Sequence, residues 1–379
     1  MMRDERAGVE ARPGAAWVAL VLATGVLARL LLPFHEHNFD VDSYRIVADI
    51  MAAGGNVYAE TPRYNYGPVW FNIVHWLDLL PSPPGADPTK ALHFKIAAFL
   101  TLVDVGLFAI LLRRFSLKVA ALFFLNPISV IITGYHSQFD NLPVLIGFAA
   151  ILYVGKLQGW RGQAVLLLGL GLSLMAKHLL FVFPLWLAMK RQSWRDRLLV
   201  VGVPYTLFLL GFAAYAPVGW RGILDNVFLY RSFNAAPLWR LLLPDALVDS
   251  IPVVLLFIGA LLALGYCVRE RDDFEKLRIY LIGLVVFSSA MANQYLAIPA
   301  ASIAMNWNLP YAMYSWTGTL VLAVHSDGLA LLGALWSPAL SQLAYQALVA
   351  CLAIGLALDV SGRSPRRLLA SLRARIARR

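Results

Sequence analysis

Two aspartates, Asp40 and Asp42, directly follow the first long apolar segment of the chain. That segment, Ala15 to Leu32, carries one charge, Arg29, and is long enough to cross a bilayer. A carboxylate at the bilayer centre costs about 2.5–3.5 kcal/mol, so a pair of carboxylates is more stable at the membrane–water boundary. We therefore predict that both aspartates lie at this boundary, where a carboxylate can remove a proton from a substrate hydroxyl. The simpler alternatives are a helix cap for Asp42 and a solvated loop acid for Asp40.

A second group of polar residues lies in one short segment between apolar stretches. His136, Gln138 and Asp140 occupy alternate positions between Tyr135 and Asn141. The histidine could contact a phosphate, and the other two could bind sugar hydroxyls. The alternative is a hydrogen-bonded turn that only ends a helix.

Lys177 and His178 interrupt an apolar hairpin. Ionisable residues inside such hairpins are functional candidates, although Lys177 could instead extend its amine to the interface. Asp104 lies within the second apolar span, where it could orient a site residue or pair inside the bundle.

The predicted second outer loop, residues 217–249, contains arginines, although Lys and Arg generally prefer cytoplasmic loops. Their planar guanidinium groups suit phosphate oxygens. The alternative for Arg221 is a local pair with Asp225, four residues away on a possible helix. The arginines of this loop are Arg221, Arg231 and Arg240.

The composition indicates a membrane protein that positions these groups with helices. The chain is 60% hydrophobic and 14% charged, whereas soluble domains are about 45–50% apolar and about 25% charged. We predict an all-α, polytopic protein with about twelve transmembrane helices. Residues 1–14 would be a cytoplasmic N-terminus, 15–360 the membrane domain and 361–379 a basic cytoplasmic tail. The first outer loop, residues 34–93, would carry helices that lie along the interface.

The net charge of +10 does not indicate nucleic-acid binding, because the basic residues concentrate in short turns and in the tail. Lys and Arg prefer cytoplasmic loops, so these clusters predict the cytoplasmic face. The tail spaces apolar residues on one helical face and suits anionic membrane lipid. The clusters are Arg113, Arg114 and Lys118; Lys156 and Arg161; and Lys190, Arg191, Arg195 and Arg197.

The first outer loop resembles the GT-C glycosyltransferases, polytopic enzymes that take a sugar from a polyprenyl-phosphate carrier. The resemblance rests on the Asp-x-Asp pair, on Gly55-x-x-Tyr58 and on Arg63-Tyr64-x-Tyr66-x-Pro68. Asp40 to Pro68 is most similar to the first mannosyltransferases of GPI-anchor assembly.

The middle of the chain is more similar to the dolichyl-phosphate-glucose-dependent glucosyltransferases. The similar residues are Asn126-Pro127 with His136-x-Gln138-Phe139-Asp140, and Lys177-His178 before Pro184. Gln294-Tyr295 with Pro299 resembles a Gln-Tyr-x-x-x-Pro motif of the mannosyl group.

The resemblance implies an inverting transfer of a hexose, mannose or glucose, to a lipid-linked glycan or similar acceptor outside the cytoplasm. Asp40 matches the catalytic aspartate and would be the base. An Asp-x-Asp can also bind a divalent cation, but relatives with monophosphate lipid donors work without one, so we predict no metal and no other cofactor. The predicted substrate-binding residues are Asp42, Arg45, Tyr66, His136, Gln138, Asp140, Lys177, His178, Arg221, Arg231, Gln294 and Tyr295.

The sequence leaves two other functions open. A transporter or flippase of lipid-linked sugars would share the apolar bundle, although paired broken helices in two related halves are not visible. A catalytically inactive relative would bind glycolipid only. A bacterial inner membrane is the expected location, with the endoplasmic reticulum membrane as the alternative.

Overall fold

The computed structural model describes residues 14–157, 159–230, 232, 235–325, 327–331 and 337–362. It is all-helical, with no strand among those residues, which confirms the predicted fold class. The greater part of the expected cytoplasmic N-terminus and of the basic tail lies outside the described residues.

The chain forms nineteen α-helices in its described part, numbered here in chain order. They are α1 (Ala15–Leu31), α2 (Phe39–Ala52), α3 (Val57–Glu60), α4 (Pro68–Asp78), α5 (Pro88–Arg114), α6 (Leu117–Phe124), α7 (Pro127–Gly134), α8 (Asn141–Val154), α9 (Trp160–Ala176), α10 (Phe183–Lys190), α11 (Trp194–Gly211), α12 (Ala216–Ile223), α13 (Pro237–Leu242), α14 (Asp245–Ser250), α15 (Val253–Cys267), α16 (Asp273–Val286), α17 (Ala300–Met305), α18 (Leu309–Val324) and α19 (Pro338–Ser361). Short 3₁₀ segments occur at Leu32–Phe34, His178–Leu180 and Asn293–Ala297, and a π-helical segment at Leu224–Phe228.

Three helices of the described chain are long and apolar enough to cross a membrane alone: α1 with its 3₁₀ extension, α5 and α19. Three further spans would be bent pairs, namely α6 with α7, the 3₁₀-extended α10 with α9, and the π-extended α12 with α11. The bends are 49°, 119° and 111° in that order. Length and apolarity thus support up to six spans, and the expected count of about twelve stays a prediction.

The first outer loop contains the helices that the sequence predicts there. α2 and α4 pack on each other, and α4 also packs on α5 and α9. Asn38 is the N-cap residue of α2, so Asp40 and Asp42 both lie in its first turn. The N-cap position of α2 is therefore occupied by Asn38 and not by Asp42, so the alternative that Asp42 caps this helix is wrong. Because Asp87 caps α5, that helix begins inside the predicted loop.

The bent pairs carry polar breaks. Asn126 accepts from the Ile128 amide and starts α7 at Pro127, which cannot continue the hydrogen bonding of α6. The turn of residues 135–140 then joins α7 to α8. Lys177 ends α9 in extended conformation before the 3₁₀ segment. Such unpaired backbone is tolerated at membrane depth only where protein or a cavity surrounds it.

A buried ion pair joins α16 to α19. Arg278 pairs with both oxygens of Asp359, with Nη2 2.8 Å from Oδ1, and it also contacts Glu275 Oε2 at 2.7 Å. Asn306 donates to Asp359 Oδ1 at 2.6 Å. Asp359 lies fourteen residues beyond Tyr345 on α19, about 21 Å along the helix.

We predict that Arg278→Ala destabilises the fold strongly, because it leaves the buried Asp359 without its cation. Losing one partner of a buried pair costs about 3–5 kcal/mol, so the thermal unfolding midpoint in detergent should fall by several degrees. Arg240→Ala is the control, since Arg240 pairs with Asp245 and Asp249, whose side chains are 67% and 59% exposed. Such surface pairs contribute about 0–1 kcal/mol. Equal midpoints for the two variants would contradict this role of Arg278.

Candidate functional site

The carboxylate of Asp40 joins the first turn of α2 to the turn of residues 135–140. Asp40 Oδ2 accepts a hydrogen bond from Gln138 Nε2 at 2.6 Å and a longer one from Asn38 Nδ2 at 3.3 Å. Gln138 is buried, and 98 positions separate it from Asp40 in the chain. The fold therefore brings the two motifs on which the resemblance rests into direct contact.

Lys177 supplies the positive charge of this site. Its Nζ lies 2.8 Å from Asp140 Oδ1 and 3.5 Å from Gln138 Oε1. The amide oxygen of Gln138 thus accepts from the Lys177 ammonium, while the amide nitrogen of Gln138 donates to Asp40. One terminal amide therefore contacts both an ammonium and a carboxylate. Two carboxylates and one cation form a connected chain, with Lys177 and Asp140 almost fully buried.

Aromatic rings enclose the charges. Lys177 Nζ lies 4.8 Å from the ring centroids of both Tyr66 and Phe139, within the range of a cation–π contact. Phe139 stacks on Trp70 at 4.1 Å, and Tyr44 packs edge-on against both rings. Rings exclude water, and electrostatic interactions are stronger where water is excluded.

The environment of Asp40 changes its acidity. Burial raises the pKa of its carboxyl, and the charge of Asp327 adds to that rise. The Lys177 charge and the two amide hydrogen bonds act in the opposite direction, but the pKa stays above its ordinary value. A carboxylate with a raised pKa is a stronger base than a solvated one. Asp40 is therefore suited to take a proton from a hydroxyl.

His136 is neutral in this site, because complete burial lowers its pKa to about 3. Its Nδ1 lies 2.7 Å from Asn38 Nδ2. The same Asn38 nitrogen donates to Asp40, so it is an amide NH₂ and His136 Nδ1 is the acceptor. The proton then sits on Nε2, which has no hydrogen-bond partner in the part of the chain that the structure describes. His136 can donate one hydrogen bond to a substrate oxygen without carrying charge.

Other buried polar atoms around the turn also have no hydrogen-bond partner among the described residues. Ser137 Oγ makes no such bond, and the Asp140 oxygens contact only the Lys177 charge. Buried polar groups in proteins are nearly always paired. These atoms are therefore available to the hydroxyls of a polar substrate.

Two other predicted site residues of the first outer loop, Asp42 and Arg45, bind other side chains of that loop. Asp42 Oδ1 lies 2.9 Å from His37 Nε2, and the Asp42 side chain is half exposed. Arg45 donates to both oxygens of Asp78, at 2.7 and 2.9 Å, and to Asp49. The structure therefore does not bring Asp42 or Arg45 into the Lys177 cluster.

The other predicted residues are more scattered. Tyr295 lies near the cluster: burial, and next the Asp140 charge, raise the pKa of its phenol to about 12. His178 Nδ1 is buried and has no hydrogen-bond partner among the described residues, and Gln294 is half buried. Arg221 is exposed and forms no ion pair with Asp225, although both residues are described. Arg240 pairs with acids of its own loop, and Arg231 lies outside the described residues.

Three neighbours of Asp40 were not expected from the sequence. Asn38 could have been found as the polar residue at the N-cap position of α2, although its side chain makes no capping hydrogen bond there. Arg63 lies over the ring of Phe39, the residue before Asp40, at 3.6 Å and donates to the Phe39 carbonyl at 2.9 Å. Asp327 comes from the segment between α18 and α19, and no local pattern signals its approach.

The comparisons with known proteins support the fold. No protein-family model matches the chain, and no curated protein matches it. The chain is similar to the crystal structure of ArnT from Cupriavidus metallidurans in the apo state, with a TM-score of 0.51 and 14% identity. The match covers 91% of this chain and 76% of ArnT. ArnT has the GT-C membrane fold, so the expected GT-C-like, multi-pass architecture is confirmed.

The raised pKa of Asp40 predicts a pH-dependent gain of stability in Asp40→Asn. The folded state holds this proton more tightly than the unfolded chain does, so the stabilisation is complete below about pH 3.9 and is lost as pH rises through the raised pKa. The variant is neutral at every pH. Its unfolding midpoint should match wild type in acid and exceed it at neutral pH. Asp245→Asn, at an exposed acid, should show no such trend; a pH-independent difference for Asp40→Asn would contradict the prediction.

Proposed function

We propose that the protein is an inverting glycosyltransferase that moves a hexose, mannose or glucose, from a polyprenyl-phosphate carrier to a lipid-linked glycan or similar acceptor. The observation that carries the proposal is the chain of contacts from Asp40 through Gln138 to Lys177. It sets a base with a raised pKa and a buried cation on opposite sides of one amide.

The reaction needs both charges. The acceptor hydroxyl is a weak nucleophile until a base takes its proton, and Asp40 would take it as the oxygen attacks the anomeric carbon. The bond to the lipid phosphate breaks on the opposite face of the sugar, so the anomeric centre inverts. The proton ends on Asp40 and the electron pair ends on the departing phosphate.

The positive charge of Lys177 would act mainly when the bond to the lipid phosphate breaks. Before the transfer, Lys177 faces the carboxylates of Asp40 and Asp140. Protonation of Asp40 removes one of these charges just as the leaving phosphate gains charge. Lys177 can then stabilise the phosphate in a water-poor site.

The comparison supports the class of donor. ArnT is a GT-C glycosyltransferase that transfers 4-amino-4-deoxy-L-arabinose, and its likeness supports a lipid-linked sugar donor for this chain. The choice of hexose rests on the motif resemblance alone. We also propose a bacterial inner membrane as the location, with transfer at the outer face.

The predicted absence of a metal remains part of the proposal. Asp40 and Asp42 would be the ligands if a divalent cation bound, but their carboxylates have separate partners, Gln138 and His37. Lys177 supplies a fixed positive charge on the other side of Gln138 from Asp40.

We predict that purified protein transfers hexose from a synthetic polyprenyl-phosphate hexose to a lipid-linked acceptor, and that Asp40→Asn loses about 10²–10⁴-fold in rate. Asp245→Asn is the control, because it removes an exposed carboxylate of the second outer loop by the same substitution. Product formation is followed by mass spectrometry with mannosyl, glucosyl and aminoarabinosyl donors in parallel. Full turnover by Asp40→Asn would refute the assigned base. Movement of labelled donor across liposomes without a new glycosidic bond would support the flippase instead.

A further inference from the structure

A buried carboxylate on α5 holds both ends of the turn of residues 135–140. Asp104 Oδ2 accepts from Thr133 Oγ1 at 2.7 Å, and Oδ1 accepts from Asn141 Nδ2 at 2.6 Å. Thr133 lies near the end of α7, and Asn141 is the first residue of α8. The side chains that precede and follow the turn are therefore bound to one group.

Arg29 fixes that carboxylate. Its Nε lies 2.8 Å from Asp104 Oδ2, and both residues have fully buried side chains. The same guanidinium donates to the Phe124 carbonyl at 2.8 Å and to Ser129 Oγ at 2.9 Å. Arg29 thereby ties α1 and α5 to the bent α6–α7 pair, and the anchor of the turn cannot move independently of the bundle.

The turn itself needs such restraint. Ser137 has a φ of 51°, a left-handed conformation that is uncommon for a residue with a side chain. Gly134 lies so close to α1 that an added Cβ would approach the Arg29 carbonyl oxygen to 2.6 Å. A loosened turn would relax this geometry, and Gln138 would move away from Asp40.

We propose that Asp104, held by Arg29, is a positioning residue that places Gln138 against Asp40 and Asp140 against Lys177. This inference rests on the proposed function for its catalytic consequence. Asp104 touches no reacting atom in this account and acts through the turn.

The cost of burying charge supports this role. Burying an ion pair is expensive, and apolar residues of similar volume are often at least as stabilising. The pair therefore calls for a reason other than stability alone. The Arg278–Asp359 pair is buried in the same way but binds α16, α19 and Asn306, with no hydrogen bond to the turn. The chain thus contains its own matched control.

Asp104→Asn should release one end of the turn. The carboxylate accepts from Arg29, Thr133 and Asn141, whereas an amide has one accepting oxygen. Whichever way the amide faces, either Asn141 or the Arg29–Thr133 side loses its acceptor. The variant keeps the size of the side chain, so the change is confined to hydrogen bonding and charge.

The expected readout is the pH dependence of transfer. Asp40 must be ionised to act as a base, and the hydrogen bond from Gln138 lowers its pKa. Loss of that bond should move the acidic limb of the pH–rate profile to higher pH. A displaced turn should also lower kcat, by up to about 100-fold, with a smaller change in KM for the donor.

A shift of the acidic limb reports the loss of the Gln138–Asp40 hydrogen bond only if the other charged and titratable groups near Asp40 keep their positions. The charged and titratable residues that face it are Lys177, Asp140, Tyr44, Tyr66, Tyr295, Asp327 and, through Asn38, His136. A double-mutant cycle separates their effects from that of Gln138. In a Gln138→Leu background, Asp104→Asn should add little further shift of the acidic limb.

The decisive experiment compares Asp104→Asn with Asp359→Asn in the full-length protein. Both variants should lower the thermal midpoint. Only Asp104→Asn should shift the acidic limb and speed hydrogen–deuterium exchange across residues 133–141. If Asp104→Asn does not fold, Thr133→Val releases the α7 end alone and should shift the limb in the same direction by less. A variant with wild-type pH profile and wild-type exchange at the turn would overturn the proposal.

The exchange measurement separates the two hypotheses. If wild-type protein shows no transfer with any donor, the proposed function fails. Faster exchange of the turn in Asp104→Asn, but not in Asp359→Asn, would still support the anchoring of the turn by Asp104. Normal transfer by wild type with unchanged exchange in Asp104→Asn would instead reject the anchor and leave the function intact.

Discussion

The Gln138 amide is the contact on which the site depends, because it bonds a carboxylate at one end and an ammonium at the other. Without it, no shared group would hold the half-buried Asp40 and the buried Lys177 at a fixed separation. An amide is neutral and has a fixed polarity, so it can bridge the two without cancelling either. This arrangement leaves Asp40 basic and Lys177 positive in the same water-poor pocket.

Interruptions in the helices of the bundle place Gln138, Asp140 and Lys177 in the site. A continuous span would satisfy every backbone group, but it would offer no polar end inside the protein. The breaks at residues 135–140 and at Lys177 expose such ends, and the helices of the first outer loop cover them. The Arg29–Asp104 pair and the aromatic rings around Phe139 then hold the irregular backbone in place.

The sequence was sufficient for the parts of the site that local patterns encode. The apolar spans, the helices of the first outer loop and the polar turn after α7 follow from composition, capping residues and proline. The resemblance of two motifs to the GT-C glycosyltransferases predicted that Asp40, Gln138 and Lys177 belong to one site. The all-helical GT-C-like fold was confirmed.

Tertiary pairing lay beyond local patterns. Arg45 suits a phosphate by its chemistry, yet Asp78, 33 residues away, takes its guanidinium. The sequence allowed Asp104 either to orient a site residue or to pair inside the bundle, and its hydrogen bonds from Thr133 and Asn141 come from tertiary structure. The charge of Asp327 acts on Asp40 although the two residues are 287 positions apart in the sequence, a separation over which helical periodicity predicts no contact.

A structure with a bound, non-transferable polyprenyl-phosphonate hexose tests the central claim most directly. The account predicts sugar density between Asp40 and Lys177, with the phosphonate oxygens next to the Lys177 ammonium and an acceptor-sized space on the Asp40 side. A phosphonate held by the basic turns at Arg113 and Arg114, with the sugar out of reach of Asp40, would contradict it.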